Sequence, residues 1–263
     1  MASSRALPGL GSQNSWALRD PKETIRWRSR RPTLPPTDPR RVRRAGPTTT
    51  SAKRLRQSLG GTEKIKQIRD YERTSLTKYD NRFTKKEGKF PKLTEQWCKD
   101  GQIRTSQSSM LKKYVQYFDG QNSGWMALGG HVVELKPDEV SRAKVASFEF
   151  DFVNSALADQ RPTRSVSVLK PGAIQIVDLE GNIMILEIDE ATGLPVKEIV
   201  TIVRKDSVSS PTEETFSDWR TVSGVKLPFA VREAKGGEKL NDTLVLDWKI
   251  NTGLDCNALG KRP

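Results

Sequence analysis

With 263 residues and a net charge of +13, the chain has room for one domain of about 200 residues or two small ones. No apolar run approaches the roughly 18 to 20 residues of a membrane-spanning helix, and the longest, Ile183-Met184-Ile185-Leu186, is strand-sized. One histidine and two cysteines without Cys-x-x-Cys spacing argue against a metal site.

The basic charge is concentrated at the start. Residues 1–54 carry thirteen Lys/Arg and three Asp/Glu, which leaves 32 basic and 29 acidic residues for 55–263. This segment is rich in Pro, Ser, Thr and Arg, with Arg30-Arg31, Arg40-Arg41 and Arg43-Arg44 pairs and few periodic apolar residues. Such a composition cannot bury enough surface to offset its ordering entropy, so the expected organisation is a disordered tail, 1–54, and one folded domain, 55–263. The tail contains no apolar stretch of the kind the export machinery reads.

In chain order, Lys53 to Leu59 reads as a short helix ending at Gly60-Gly61, followed by a helical turn from Thr62 to Ile68. Strands are expected at 69–77, 92–98, 102–108 and 112–118, with Asp100-Gly101 and Asp119-Gly120 as turns that tolerate positive φ. A single long helix is expected over 137–158. Pro137 suits its first turn, Asp138 and Glu139 face the positive end of its dipole, and Val145, Phe148, Phe152, Val153 and Ala156 recur at helical spacing. Strands resume at 164–169, 173–178, 182–189, 196–204, 214–220, 227–233 and 243–251. The expected class is mainly β (α+β): a large curved antiparallel sheet of around ten strands, an unclosed β-barrel around one long helix.

In the last strand Leu244, Leu246, Trp248 and Ile250 take every second position, which predicts one shared apolar face. Ile183 to Ile188 and Ile199 to Val203 are apolar on both faces, the mark of strands covered on both sides. One helix covers only part of such a sheet. The open remainder must be filled by the chain's own loops, by a partner or by a ligand, and it has room for an acyl-sized guest lined by Phe148 and Phe152 of the helix and Leu244, Leu246, Trp248 and Ile250 of the final strand.

Other chemistries have weaker support. His131 sits beside Gly129-Gly130 in an expected loop with no nucleophile motif, and the acids at 178–190 fit hairpin turns better than paired catalysis. Neither glycine pair has the lysine of a phosphate loop. The expectation is therefore a protein without catalysis, cofactor or metal. The arginine pairs of the tail open a second class, a nucleic-acid-associated protein, although only Trp16 and Trp27 are there to stack on bases. Docking of a partner on the sheet edge is a third. Two cysteines this far apart, Cys98 and Cys256, are expected to be unpaired, with one disulfide in an oxidising compartment as the alternative.

The order of several pieces carries a resemblance: Leu59-Gly60-Gly61 before a strand; Trp97 and Arg104 on successive strands; Phe118-Asp119-Gly120 and Gly124-Trp125; the Pro137 helix; Asp189 with Thr192-Gly193-Leu194-Pro195; Gly224-Val225-Lys226-Leu227-Pro228-Phe229; and a closing segment from Asn251 to Pro263. Over roughly residues 55–263 the chain resembles the outer-membrane lipoprotein-sorting (LolA-like) group of bacterial envelope proteins. That resemblance implies a half-barrel with a helical lid, an apolar cavity for lipid or lipoprotein acyl chains, no catalysis and no cofactor, and a periplasmic or envelope location. The chain departs from the group where a cleavable export signal would stand, which raises the expectation that the true start or an upstream signal differs from Met1.

Overall fold

A computed structural model describes residues 50–79, 92–99, 101–108, 113–150, 152–204 and 207–263. Most of the basic tail and Asp100 lie outside the described residues. The elements run α1 (Thr50–Ser58), α2 (Thr62–Lys66), β1 (Asp70–Tyr79), β2 (Lys92–Cys98), β3 (Ile103–Ser108), β4 (Lys113–Phe118), β5 (Gly124–Leu128) and β6 (His131–Glu134). Next come α3 (Pro137–Phe150), α4 (Phe152–Ala156), a 3-10 turn at Ala158–Gln160, β7 (Ser165–Lys170), β8 (Ala173–Val177), β9 (Ile183–Ile188) and β10 (Pro195–Thr201). The last are β11 (Val203–Arg204), β12 (Ser207–Val208), β13 (Thr212–Val222), β14 (Val225–Lys235), β15 (Glu238–Ile250) and α5 (Cys256–Leu259).

Thirteen strands form one antiparallel sheet in the order β6-β5-β4-β3-β2-β1-β15-β14-β13-β10-β9-β8-β7, and β11 pairs with β12 separately. Two meanders are thus zipped together by β1 and β15. Its end strands, β6 and β7, do not pair with each other, so the sheet stays open as expected. The chain must cross from one edge to the other between β6 and β7, and α3 and α4 make that crossing. Val153, Ala156 and Leu157 bury against Ile174, Ile176 and Met184 in the main core, which defines the inner face of the sheet.

Several expectations need correction. The helix expected over 137–158 is helical over Pro137–Phe150 and Phe152–Ala156 and closes in a 3-10 turn at Ala158–Gln160, and α1 and α2 also enter the core through Leu55, Leu59 and Ile65. The first described element, α1, starts at Thr50 and also buries Ala52. The Gly129-Gly130 pair is a hairpin turn between β5 and β6, which places His131 in a strand. Cys98 and Cys256 form a disulfide.

The largest correction concerns β15. Thr74 pairs with Asp247 but Ser75 pairs with Val245, so Leu246 is an extra residue, a β-bulge. One inserted residue reverses the alternation. Val245 (2 % exposed) and Trp248 (7 %) both point into the core, whereas Leu244 (48 %) and Leu246 (47 %) are exposed.

Local chemistry fixes the ends of α1. Gly61 N–H donates to the Arg56 carbonyl at 2.8 Å and Gly60 N–H to the Gln57 carbonyl at 3.2 Å, the paired bonds of a Schellman cap. Gly60 is required there, because its φ is +119° and a Cβ would lie 2.3 Å from the Gly224 carbonyl oxygen. That close approach seats α1 on the β13–β14 hairpin, where Lys226 N–H donates to the Leu59 carbonyl at 2.9 Å.

Candidate functional site: an inner cavity under two helices

Between the inner face and the helices lies a cavity of about 70 Å³. Leu55 and Leu59 of α1 and Ser155 and Ala156 of α4 cover it; Leu186, Phe216, Leu227 and Trp248 wall it from the sheet. The two covering helices are tied together. Arg56 donates to Asp159 at 2.5 Å, with both side chains only 4 % exposed, and Asp159 Oδ2 has no partner. Ser58 Oγ donates to the Gly193 carbonyl at 2.6 Å, and Arg54 donates to the Glu190 carbonyl, which tie α1 to the loop before β10.

The cavity is not purely apolar. Arg73 of β1 reaches into it, donating to Glu95 at 2.9 Å and lying 5.4 Å from the centre of the Trp248 ring, while its Nε has no hydrogen-bond partner. Burial would lower its pKa, but Glu95, Tyr71 and Glu214 outweigh that and raise it, so the guanidinium stays charged. Glu198 and Glu214 also line the cavity and are paired in register, and Glu233 is the next residue along the same cross-strand row, followed by Asn241 and Tyr79. Asn241 Nδ2 donates to Glu233 at 2.5 Å, and burial together with Glu233 pushes the Tyr79 phenol up to about 12.

Apolar alternation alone does not reveal this polar row. The signal was present in β10, where Glu198 takes the same phase as Val200 and Ile202, both core residues. Of the residues expected to line the site, Trp248 does so. Phe148 is buried in the core under the guanidinium of Arg164, 4.5 Å from its ring centre, and Ile250 packs against that core half-buried. The side chain of Phe152 lies outside the described residues. Leu244 and Leu246 are on the other side of the sheet from Val245, so the expected single face of four residues does not exist.

The C-terminal segment covers part of the outer face. Asp70 accepts from Thr252 N–H at 2.8 Å and Thr252 Oγ1 at 3.0 Å, and the disulfide ties Cys256 to β2. Arg104 then donates to the carbonyls of Leu259 and Lys261 at 2.5 and 2.8 Å, and Trp125 Nε1 to that of Gly260 at 3.0 Å. Trp125, Val115 and Ala127 are buried in a separate small cluster of this region.

Among the described residues no group of three or more His, Cys, Asp or Glu is placed to hold a metal ion, and no helix is long and apolar enough to cross a membrane. His131 is exposed.

No protein-family model and no curated protein matches the sequence. Solved structures match the fold. A LolA superfamily protein from Nitrosomonas europaea superimposes with a TM-score of 0.52 at 8 % identity, covering 82 % of this chain and 99 % of that one. A DUF1329 family protein from Desulfovibrio piger gives a TM-score of 0.52 at 13 % identity, covering 81 % and 97 %. The open antiparallel sheet with helices across its inner face is thus a LolA-like fold.

Proposed function

We propose that this chain is a non-enzymatic carrier that takes the acyl chains of a lipid or lipoprotein between its inner sheet face and the helices α1 and α4. The observation that carries this reading is the cavity itself, apolar on most sides and covered by two short helices that are seated by apolar side chains and joined by a few polar contacts. At about 70 Å³ it is far below the roughly 300 to 1,000 Å³ of a small-molecule site, so loading requires α1 and α4 to part. Parting them separates Arg56 from Asp159. Arg73, with its unused Nε, then supplies a donor for the ester or amide oxygens where acyl chains join their head.

The Cys98–Cys256 disulfide supports an oxidising compartment, in keeping with the periplasm or cell envelope.

The test is titration of the full chain with a synthetic triacylated lipopeptide, followed by the fluorescence of the cavity tryptophans Trp219 and Trp248. Saturable one-to-one binding is expected, and Ser155→Trp, which fills the cavity from α4, should weaken it more than about tenfold. A wild-type chain that shows no saturable response removes the reading.

A further inference from the structure

A second recess of about 500 Å³ lies across β1, β13, β14 and β15. Leu76, Leu244, Ala230 and Ser217 form one cross-strand row of its lining, each paired with the next in the ladder. Two residues along, Lys78, Asp242, Arg232 and Thr215 form a parallel polar row. Both rows are on the outer face, because the neighbours of Leu244 in β15 include the core residue Val245.

An antiparallel sheet normally turns a polar face to water. Here β15 is the middle strand of the thirteen, and it leaves Leu244 48 % exposed beside Leu76. The charges at the polar end are unbalanced. Asp242 accepts from Arg232 at 3.0 Å and from Lys239, and although burial raises its pKa, those two contacts hold it below the usual carboxylate range. Lys78 is in register with Asp242 yet has no hydrogen-bond or ion-pair partner among the described residues. Among the described residues, Lys78, Arg232 and Lys239 therefore share one carboxylate that is already matched.

The volume falls within the roughly 300 to 1,000 Å³ of small-molecule sites, with an apolar floor leading to a spare cation. We propose that this groove binds one long-chain fatty acid, its alkyl chain along Leu76, Leu244 and Ala230 and its carboxylate at Lys78. The site is separate from the inner cavity and does not depend on the carrier reading.

The experiment is calorimetric titration of the full chain with palmitate and with methyl palmitate. Wild type should bind palmitate saturably. Leu244→Glu, which sets a charge in the floor, and Ser217→Phe, which fills it, should each weaken palmitate more than about tenfold. Both positions are exposed, so the melting temperature should hold, and it is measured alongside. Lys78→Ala should weaken palmitate about fivefold and leave the methyl ester unchanged. Ser155→Trp should leave palmitate affinity as it was. If Ser155→Trp removes palmitate binding while Leu244→Glu and Ser217→Phe do not, the fatty acid occupies the inner cavity and the groove proposal fails with the carrier reading intact. Absence of palmitate binding by wild type also overturns it.

Discussion

Trp248 donates its indole N–H to the carbonyl of Pro228 at 3.1 Å, beyond the last pair of the β14–β15 ladder, Ala230 with Leu244. From there β14 continues paired to β13 and β15 to β1, so this side-chain bond bridges two strands that no longer share a ladder. Trp248→Phe keeps the aromatic bulk and removes the donor. It should cost about 1 to 3 kcal/mol, because a buried carbonyl is left unpaired. Chemical denaturation measures the loss, and hydrogen exchange should rise first in residues 225–231.

The bulge at Leu246 gives a sharp contrast between neighbours. Val245→Asp places a carboxylate in the core and should cost several kcal/mol or abolish folding, whereas Leu246→Asp should stay within about 0.5 kcal/mol. Equal losses from the two substitutions in thermal melts would contradict the placement of the bulge.

Asp159→Ala strands the buried guanidinium of Arg56 and should destabilise the chain by about 3 to 5 kcal/mol. The double variant with Arg56→Met should recover much of that loss. Limited proteolysis would locate the change in α1 and in the turn after α4.

Asp119 accepts N–H bonds from Gln121, Asn122 and Ser123 and an O–H bond from Ser123. Partial burial raises its pKa, but those bonds outweigh it and hold the carboxyl below its ordinary value. A depressed carboxylate contributes stability above its unfolded pKa of about 3.9, and that contribution is lost as pH falls through the folded value. The difference in stability between wild type and Asp119→Asn should therefore be constant near neutrality and shrink below about pH 4. Exposure to solvent keeps it under about 1 kcal/mol.

Residues 1–49 hold eleven Lys/Arg and three Asp/Glu. If the chain has any nucleic-acid affinity, deleting this segment should remove retention on DNA or RNA at low salt while leaving the melting temperature and lipopeptide binding unchanged. A salt-sensitive mobility shift that survives the deletion would place the basic surface in the domain.

The sheet was legible where alternation ran unbroken, as in β9, where Met184, Leu186 and Ile188 face the core as period two requires. In β15 the same rule failed, because Leu246 restarts the phase and nothing in a run of Leu-Val-Leu-Asp-Trp marks which residue is extra. Strands β5 and β6 were overlooked because Gly129, Gly130 and His131 read as a loop, although glycines at φ +59° and +90° suit a tight hairpin equally well. The glutamates of the inner row escaped notice for a different reason. Their burial follows from which strands are neighbours, and the approach of β10 to β13 and β14 is a property of the whole sheet. The two cysteines stand 158 residues apart, and only the return of β15 to β1 brings Cys256 to Cys98.

That return also sets a time order. Cys98 ends β2, and every later strand precedes Cys256. The docking of β15 on β1 is what holds the two sulfurs within bonding reach, so the folded sheet favours the covalent bond. Once made, it withdraws about 5 kcal/mol of chain freedom from the unfolded ensemble, in the loop-entropy view. An oxidant acting before Cys256 has been synthesised would find Cys98 with no intramolecular thiol to take, and would join two chains instead.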